Sequence, residues 1–187
     1  NARASLSGLG HDAQTVQSIM DSALAAVKGT AFGMGDAASL AAAMVASGIK
    51  PGQELEKTLR LVGDAATIGG TSLDDMGAIF AKVAATGKVN GEVLNQLGER
   101  GIPIIQLLAD QLGVTSEEVV SLASQGKISF SDFQAAMEKG LGGAALKAGG
   151  TATGAIQNLG AALDIVLFQL AVRADELHGR EAAERQI

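Results

Sequence analysis

A chain of 187 residues, 47% hydrophobic and 18% charged, has a folding composition and the length for one core plus an extension. The absence of cysteine excludes disulfides, thiolate nucleophiles and cysteine zinc sites, and a net charge of −6 with no Arg/Lys stripe interleaved with aromatics argues against a nucleic-acid reader. Aromatics amount to 3%, all of them Phe, so Ala, Leu, Ile, Val and Met must build the core, which suits close helix packing more than broad sheets.

The chain starts at Asn1 and not at Met, and its pattern is still helical at the last residue, so it is read as a piece of something longer. No run resembles a signal peptide. From the N-terminus, Val16, Ile19, Met20, Leu24 and Val27 share one helical face, predicting a helix over 12–28. A Gly-rich turn follows, Lys28-Gly29-Thr30-Ala31-Phe32-Gly33-Met34-Gly35-Asp36. Two readings of it stand: Phe32 and Met34 anchor the loop into its own core, or they form a contact patch. Helices over 36–47 and 52–66 come next, the second carrying Leu55, Leu59 and Val62 on one face.

Beyond residue 70 the punctuation is regular. Gly87, Gly101, Gly113, Gly126 and Gly140 recur every 12–14 residues, which reads as helices of roughly 8–12 residues closed by glycine at the left-handed position after each helix end. The starts agree with the stops. Ser72-x-x-Asp75, Thr115-x-x-Glu118 and Ser129-x-x-Asp132 match the capping-box pattern, and Pro51 and Pro103 stand where the first helical residue would be. Further helices are expected over 73–86, with Leu73, Met76, Ile79, Phe80 and Val83 inward; over 91–99, 103–112 and 116–125; and over 131–139, bearing Phe133 and Met137. No period-2 run appears. One motif recurs: Thr71-Ser72-Leu73-Asp74-Asp75 leads to Gly87-Lys88-Val89, and Thr115-Ser116-Glu117-Glu118 leads to Gly126-Lys127-Ile128. Either an internal repeat or reuse of the same helix caps accounts for it.

After Gly140 the character changes. Residues 141–153 are Ala/Gly-rich with Lys147 as the one charge and are expected to form a flexible joint. Residues 154–187 read as one long helix, with a stripe of Ile156, Leu159, Leu163, Ile165, Val166, Leu167, Phe168 and Leu170 and a mixed-charge tail from Arg173. The expected architecture is all-α: a helical globular module over 1–140, the joint, and the start of an extended helical region. The stripe cannot stay in water, so it must fold back onto the head, pair with another copy or continue into a helical bundle; self-association through this helix is the expectation, with Ile165 and Phe168 joining Phe32 and Met34 as candidate contact residues.

No catalytic, cofactor or metal residues are expected. His11 stands at a helix start and His178 in a charged tail, neither with a partner at metal-ligand spacing. The acid pairs Asp74-Asp75 and Glu117-Glu118 lie in first helical turns, where the helix dipole explains them. Gly140-Leu141-Gly142-Gly143 lacks the Gly-Lys-Ser/Thr ending of a phosphate loop.

Several stretches resemble a known family. They are Val27-Lys28-Gly29-Thr30-Ala31-Phe32, Ala46-Ser47-Gly48-Ile49-Lys50-Pro51-Gly52, Lys82-Val83-Ala84-Ala85-Thr86-Gly87-Lys88, Arg100-Gly101-Ile102-Pro103-Ile104-Ile105-Gln106-Leu107-Leu108 and Ser131-Asp132-Phe133-Gln134-Ala135-Ala136-Met137. Over residues 16–140 the chain resembles the tape-measure proteins of long-tailed phages and prophages, most specifically in its Gly-Ile-Pro-Ile-x-Gln-Leu-Leu stretch. The resemblance implies a structural protein, made in the host cytoplasm and housed in the tail tube of the virion, that sets tail length. The partners it implies are the tail tube protein, tail-assembly chaperones and tail tip proteins. A ruler gains ~1.5 Å per residue only as continuous helix, so residues 12–140 would be a folded head and only the helix after 150 would resemble ruler. Two alternatives stand beside this: a membrane-interacting or pore-forming helical protein, motivated by the apolar stretch 161–172, and a non-catalytic domain of a phage-borne hydrolase. That stretch is broken by Asp164 and Gln169 and is too short to span a bilayer.

Overall fold

The computed structural model describes residues 2–8 and 10–150 and, beyond them, Leu163 and residues 165–167, 169–171, 173 and 174. In chain order the elements are α1 (Ala2–Gly8), α2 (Ala13–Val27), α3 (Met34–Ala46), α4 (Gln53–Gly69), α5 (Leu73–Thr86), β1 (Lys88–Val89), α6 (Gly91–Glu99), α7 (Ile104–Leu112), α8 (Ser116–Ser124), β2 (Ile128–Ser129), α9 (Phe130–Leu141) and α10 (Ala144–Gly149). The all-α expectation holds for this body. The long helix over 154–187 lies mostly outside the described residues, which are helical where they occur within it.

Local chemistry sets the helix starts. The Asp12 carboxylate accepts from the Thr15 N–H at 2.7 Å, and Asn90 Oδ1 accepts from the Val93 N–H at 3.0 Å. Thr115 with Glu118 and Ser129 with Asp132 form full capping boxes. At Ser72 the box is half-made: its hydroxyl accepts from the Asp75 N–H, but the Asp75 carboxylate takes the Ser72 hydroxyl and not the backbone N–H. Gly70, Gly87 and Gly113 close their helices in the left-handed conformation.

Three expected positions shift, each for a spatial reason. Gly140 is no stop; it lies inside α9, where the Leu107 side chain of α7 comes so close that a Cβ would overlap it. Pro103 is the cap of α7 and not its first residue, because the chain turns tightly there, with the Ile104 N–H donating to the Ile102 carbonyl at 2.7 Å. Pro51 lies one step further out, since Gly52 caps α4 with φ 104°.

The recurring motif has a structural meaning that period-2 reading misses. Val89 and Ile128 are partners in a two-residue antiparallel ribbon, with Lys88 opposite Ser129, and the Phe130 N–H donates to the Gly87 carbonyl at 3.1 Å. Two helix–strand–helix units, α5–β1–α6 and α8–β2–α9, are thereby joined back to back. Val89 and Ile128 are fully buried, and Phe80 of α5 meets Phe133 of α9 edge to face at 4.9 Å between ring centroids. Phe130 stacks on Phe133 at 6.3 Å. A strand of two residues is too short to show alternation in sequence.

Helix α4 is the hub. It packs on α2, α3, α5 and α9 and carries α10. Its 17 residues bury Leu55, Leu59, Leu61, Val62, Ala65 and Ala66, so one continuous core runs from Leu6 of α1 to Leu141 of α9. At the far end of the bundle, the Gln134 amide of α9 donates to the buried Thr58 hydroxyl of α4 at 2.8 Å.

Candidate functional site

Among the described residues the acidic groups singled out by the sequence lie at helix starts. His11 is half-buried beside the α2 cap, and Asp12 is held below the ordinary carboxyl value of 3.8, chiefly by the hydrogen bonds from Thr15. Asp75 and Glu118 complete caps, and Asp74 and Glu117 lie in the same first turns. His178 lies outside the described residues.

The two units also invite a calcium test, because helix–loop–helix pairs with a glycine at loop position six are how EF-hands hold the ion. Placing Gly126 at that position puts Ser121, Ala123 and Gln125 where the first three oxygen ligands belong; placing Gly87 there puts Lys82, Ala84 and Thr86. Neither loop supplies a carboxylate at those three positions. The Thr86 hydroxyl is turned back onto the Lys88 carbonyl at 3.0 Å, and Asp132 is committed to its Ser129 cap. Among the described residues no group of three or more His, Asp or Glu is placed to hold a metal.

The expected contact residues fall in different environments. Met34 is inside the core. Phe32 is half-buried, its ring lying over Gly63 of α4, and the loop before it is pinned by the Thr30 hydroxyl, which donates to the Val27 carbonyl at 2.7 Å and accepts from the Phe32 N–H at 3.2 Å. Met34 and the Thr30 hydrogen bonds thus seat this loop on the body, with Phe32 partly exposed. Ile165 is half-buried and packs against the core, while Val166 and Leu170 line a cleft of about 420 Å³ with Met20 and Leu24 of α2. Phe168 lies outside the described residues. Leu163, Val166, Leu167 and Leu170 are, among the described residues, the large apolar side chains that are more than half exposed.

Sequence reading passes over one site. Asp64, 6% exposed in the middle of α4, receives the N–H groups of Gly143 and Ala145 at 2.9 and 2.8 Å, capping α10 from another helix. The available signal is a single carboxylate within the apolar run Leu61-Val62-Gly63-Asp64-Ala65-Ala66. Residues 142–149 of the expected joint are thus seated on α4; α10 also covers Gly29 and Thr30 through Gly149.

Among the described residues no helix is long and apolar enough to cross a membrane. A family model described as "Tape measure protein" matches residues 1–171. No curated protein and no solved structure matches the chain.

Proposed function

The chain belongs to the tape measure protein family, structural proteins of the phage tail, and from that premise we propose that it is the folded head of a ruler that sets tail length from inside the tail tube. The observation that carries this reading is the family match over residues 1–171, which takes in the whole folded body. The geometry supports a head in place of a ruler segment. The longest helix among the described residues, α4, has 17 residues and spans about 25 Å at the helical rise, and the chain doubles back after it and its neighbours. Such a body presents surfaces for docking but contributes little length. Length would come from continuous helix following it.

In this reading the head is the handle grasped by tail-assembly chaperones, tube subunits and tip proteins, and the exposed stripe Leu163, Val166, Leu167 and Leu170 pairs copies of the ruler with one another. The chain acts by occupying and templating space, not by turning over a substrate.

The test is made in the phage that encodes the chain. In-frame deletion of any continuous helix encoded beyond this chain should shorten tails by about 45 Å for every 30 residues removed, while deletions within α4–α9 should abolish tails and not rescale them. Tails of unchanged length after such helical deletions would refute the ruler role. Sedimentation of this chain should show an oligomer that becomes monomeric when Leu163, Val166, Leu167 and Leu170 are changed to Gln. A native chain that sediments as a monomer would remove the pairing.

A further inference from the structure

We infer that residues 142–150, carrying α10, are a releasable strap: docked on α4 and the loop at Gly29, they shorten the path from the head to the chain beyond, and undocked they release slack. The first observation is how little apolar burial holds α10. It has 6 residues, too few to be helical alone in water, and of these only Ala145 and Gly149 are buried. Its single large apolar side chain, Leu146, is 47% exposed. The helix therefore exists because of what it is docked to, and undocking and melting are one event.

Two of the contacts that hold it are specific to the docked position. The first is Asp64, whose two carboxylate oxygens take the Gly143 and Ala145 N–H groups at the positive end of α10. The second is Gly149, which lies directly against the Gly29 carbonyl, so that any Cβ there would overlap that oxygen and crowd Thr30. Both are all-or-none. A carboxylate either meets those N–H groups or faces an empty seat, and Gly149 tolerates no partial withdrawal filled by a side chain. By contrast, α9 ends in the core through Leu141, and α5 and α9 share the Phe80–Phe133 contact. The boundary between body and strap therefore falls at residue 142.

Docked, the six residues of α10 advance the chain by about 9 Å; extended, the same six reach up to roughly 20 Å. The use of that difference rests on the tape-measure reading: once Ile165 also leaves the core, a head attached to a ruler by this slack can stay engaged at one end of a tail while the rod moves relative to it.

Amide hydrogen exchange on the full chain tests the strap, comparing the native protein with Asp64→Ala and Gly149→Ala. The second variant is the sharper one, because alanine is a better helix former than glycine and would protect a free helix more, not less. Both variants should exchange at the amides of α10 at least ~10-fold faster than native, a loss of about 1.4 kcal/mol of local protection, while α5 and α9 keep their native rates. If Asp64→Ala unfolds the whole chain, Gly149→Ala decides. Native-like or slower exchange of α10 in Gly149→Ala would overturn the proposal. So would α10 and α9 losing protection together, or native α10 amides already exchanging as fast as those of the variants. Tail length plays no part in this measurement, so the strap can fail while the ruler role stands, and the reverse.

Discussion

Replacing Phe80 by Ala removes the ring that joins the two helix–strand–helix units. Phe80 and Phe133 are both fully buried, and their rings meet at 4.9 Å with planes 63° apart. Truncating a buried Phe to Ala costs about 3–5 kcal/mol, of which the edge-to-face pairing supplies about 0.5–1.5 kcal/mol. At a urea slope of ~2 kcal/mol per M, a loss of ~4 kcal/mol moves the unfolding midpoint down by ~2 M. With neither Trp nor Tyr in the chain, the transition must be followed by far-ultraviolet circular dichroism and not by intrinsic fluorescence. The informative design is the cycle of Phe80→Ala, Phe133→Ala and the double variant, which should fall short of the sum of the single losses by the pairing energy. An unmoved midpoint would show that the α5 face is not core. Strict additivity would show that the two rings contribute no pairing energy of their own.

Other outcomes follow from single features. Ser129→Ala should cost about 1–2 kcal/mol in urea unfolding, because the serine caps α9 and also completes β2; a loss no larger than that of an exposed surface serine would contradict this. The Asp12 carboxyl, titrated by NMR, should protonate below 3.8. Its pKa being lower folded than unfolded, the capping contribution is present above the unfolded value and is lost as pH falls through the folded one; a normal or raised value would remove the cap in solution. The circular dichroism spectrum should be strongly helical with almost no absorbance at 280 nm, a near-featureless region that follows from the absence of Trp and Tyr; a sheet-dominated spectrum would refute the fold.

What is legible in the sequence is what short-range chemistry decides. Thr115 and Ser129 cap helices three residues from their acidic partners, so their placement needs no knowledge of the rest of the fold. Gly140 reads wrongly as a stop because its reason is Leu107, a contact between α7 and α9 that resembles a helix end when only the glycine is seen. Helix α10 reads as joint because its N-terminus is completed by Asp64, 79 residues upstream of Gly143, and an Ala/Gly run carries no sign of its own that a partner exists. Of the four candidate contact residues, Met34 is the hardest to place, since an apolar side chain in a glycine-rich loop has the same pattern whether it faces inward or out.

The central position of α4 sets an order on synthesis. Its far face is closed by α9, through Gln134 on Thr58, 76 residues later in the chain. A nascent polypeptide that has emerged only as far as α8 therefore holds α4 with two of the elements packed on it, α9 and α10, still unmade. At ordinary elongation rates the wait between the end of α4 and the end of α9 is about 4–14 s, long compared with the microseconds in which helices form. For those seconds the ribosome carries a preformed helical hairpin stack with a sticky open side, a substrate for holding factors at the exit tunnel. A chain halted before residue 130 will aggregate or be held, whereas one extended past 141 closes on itself.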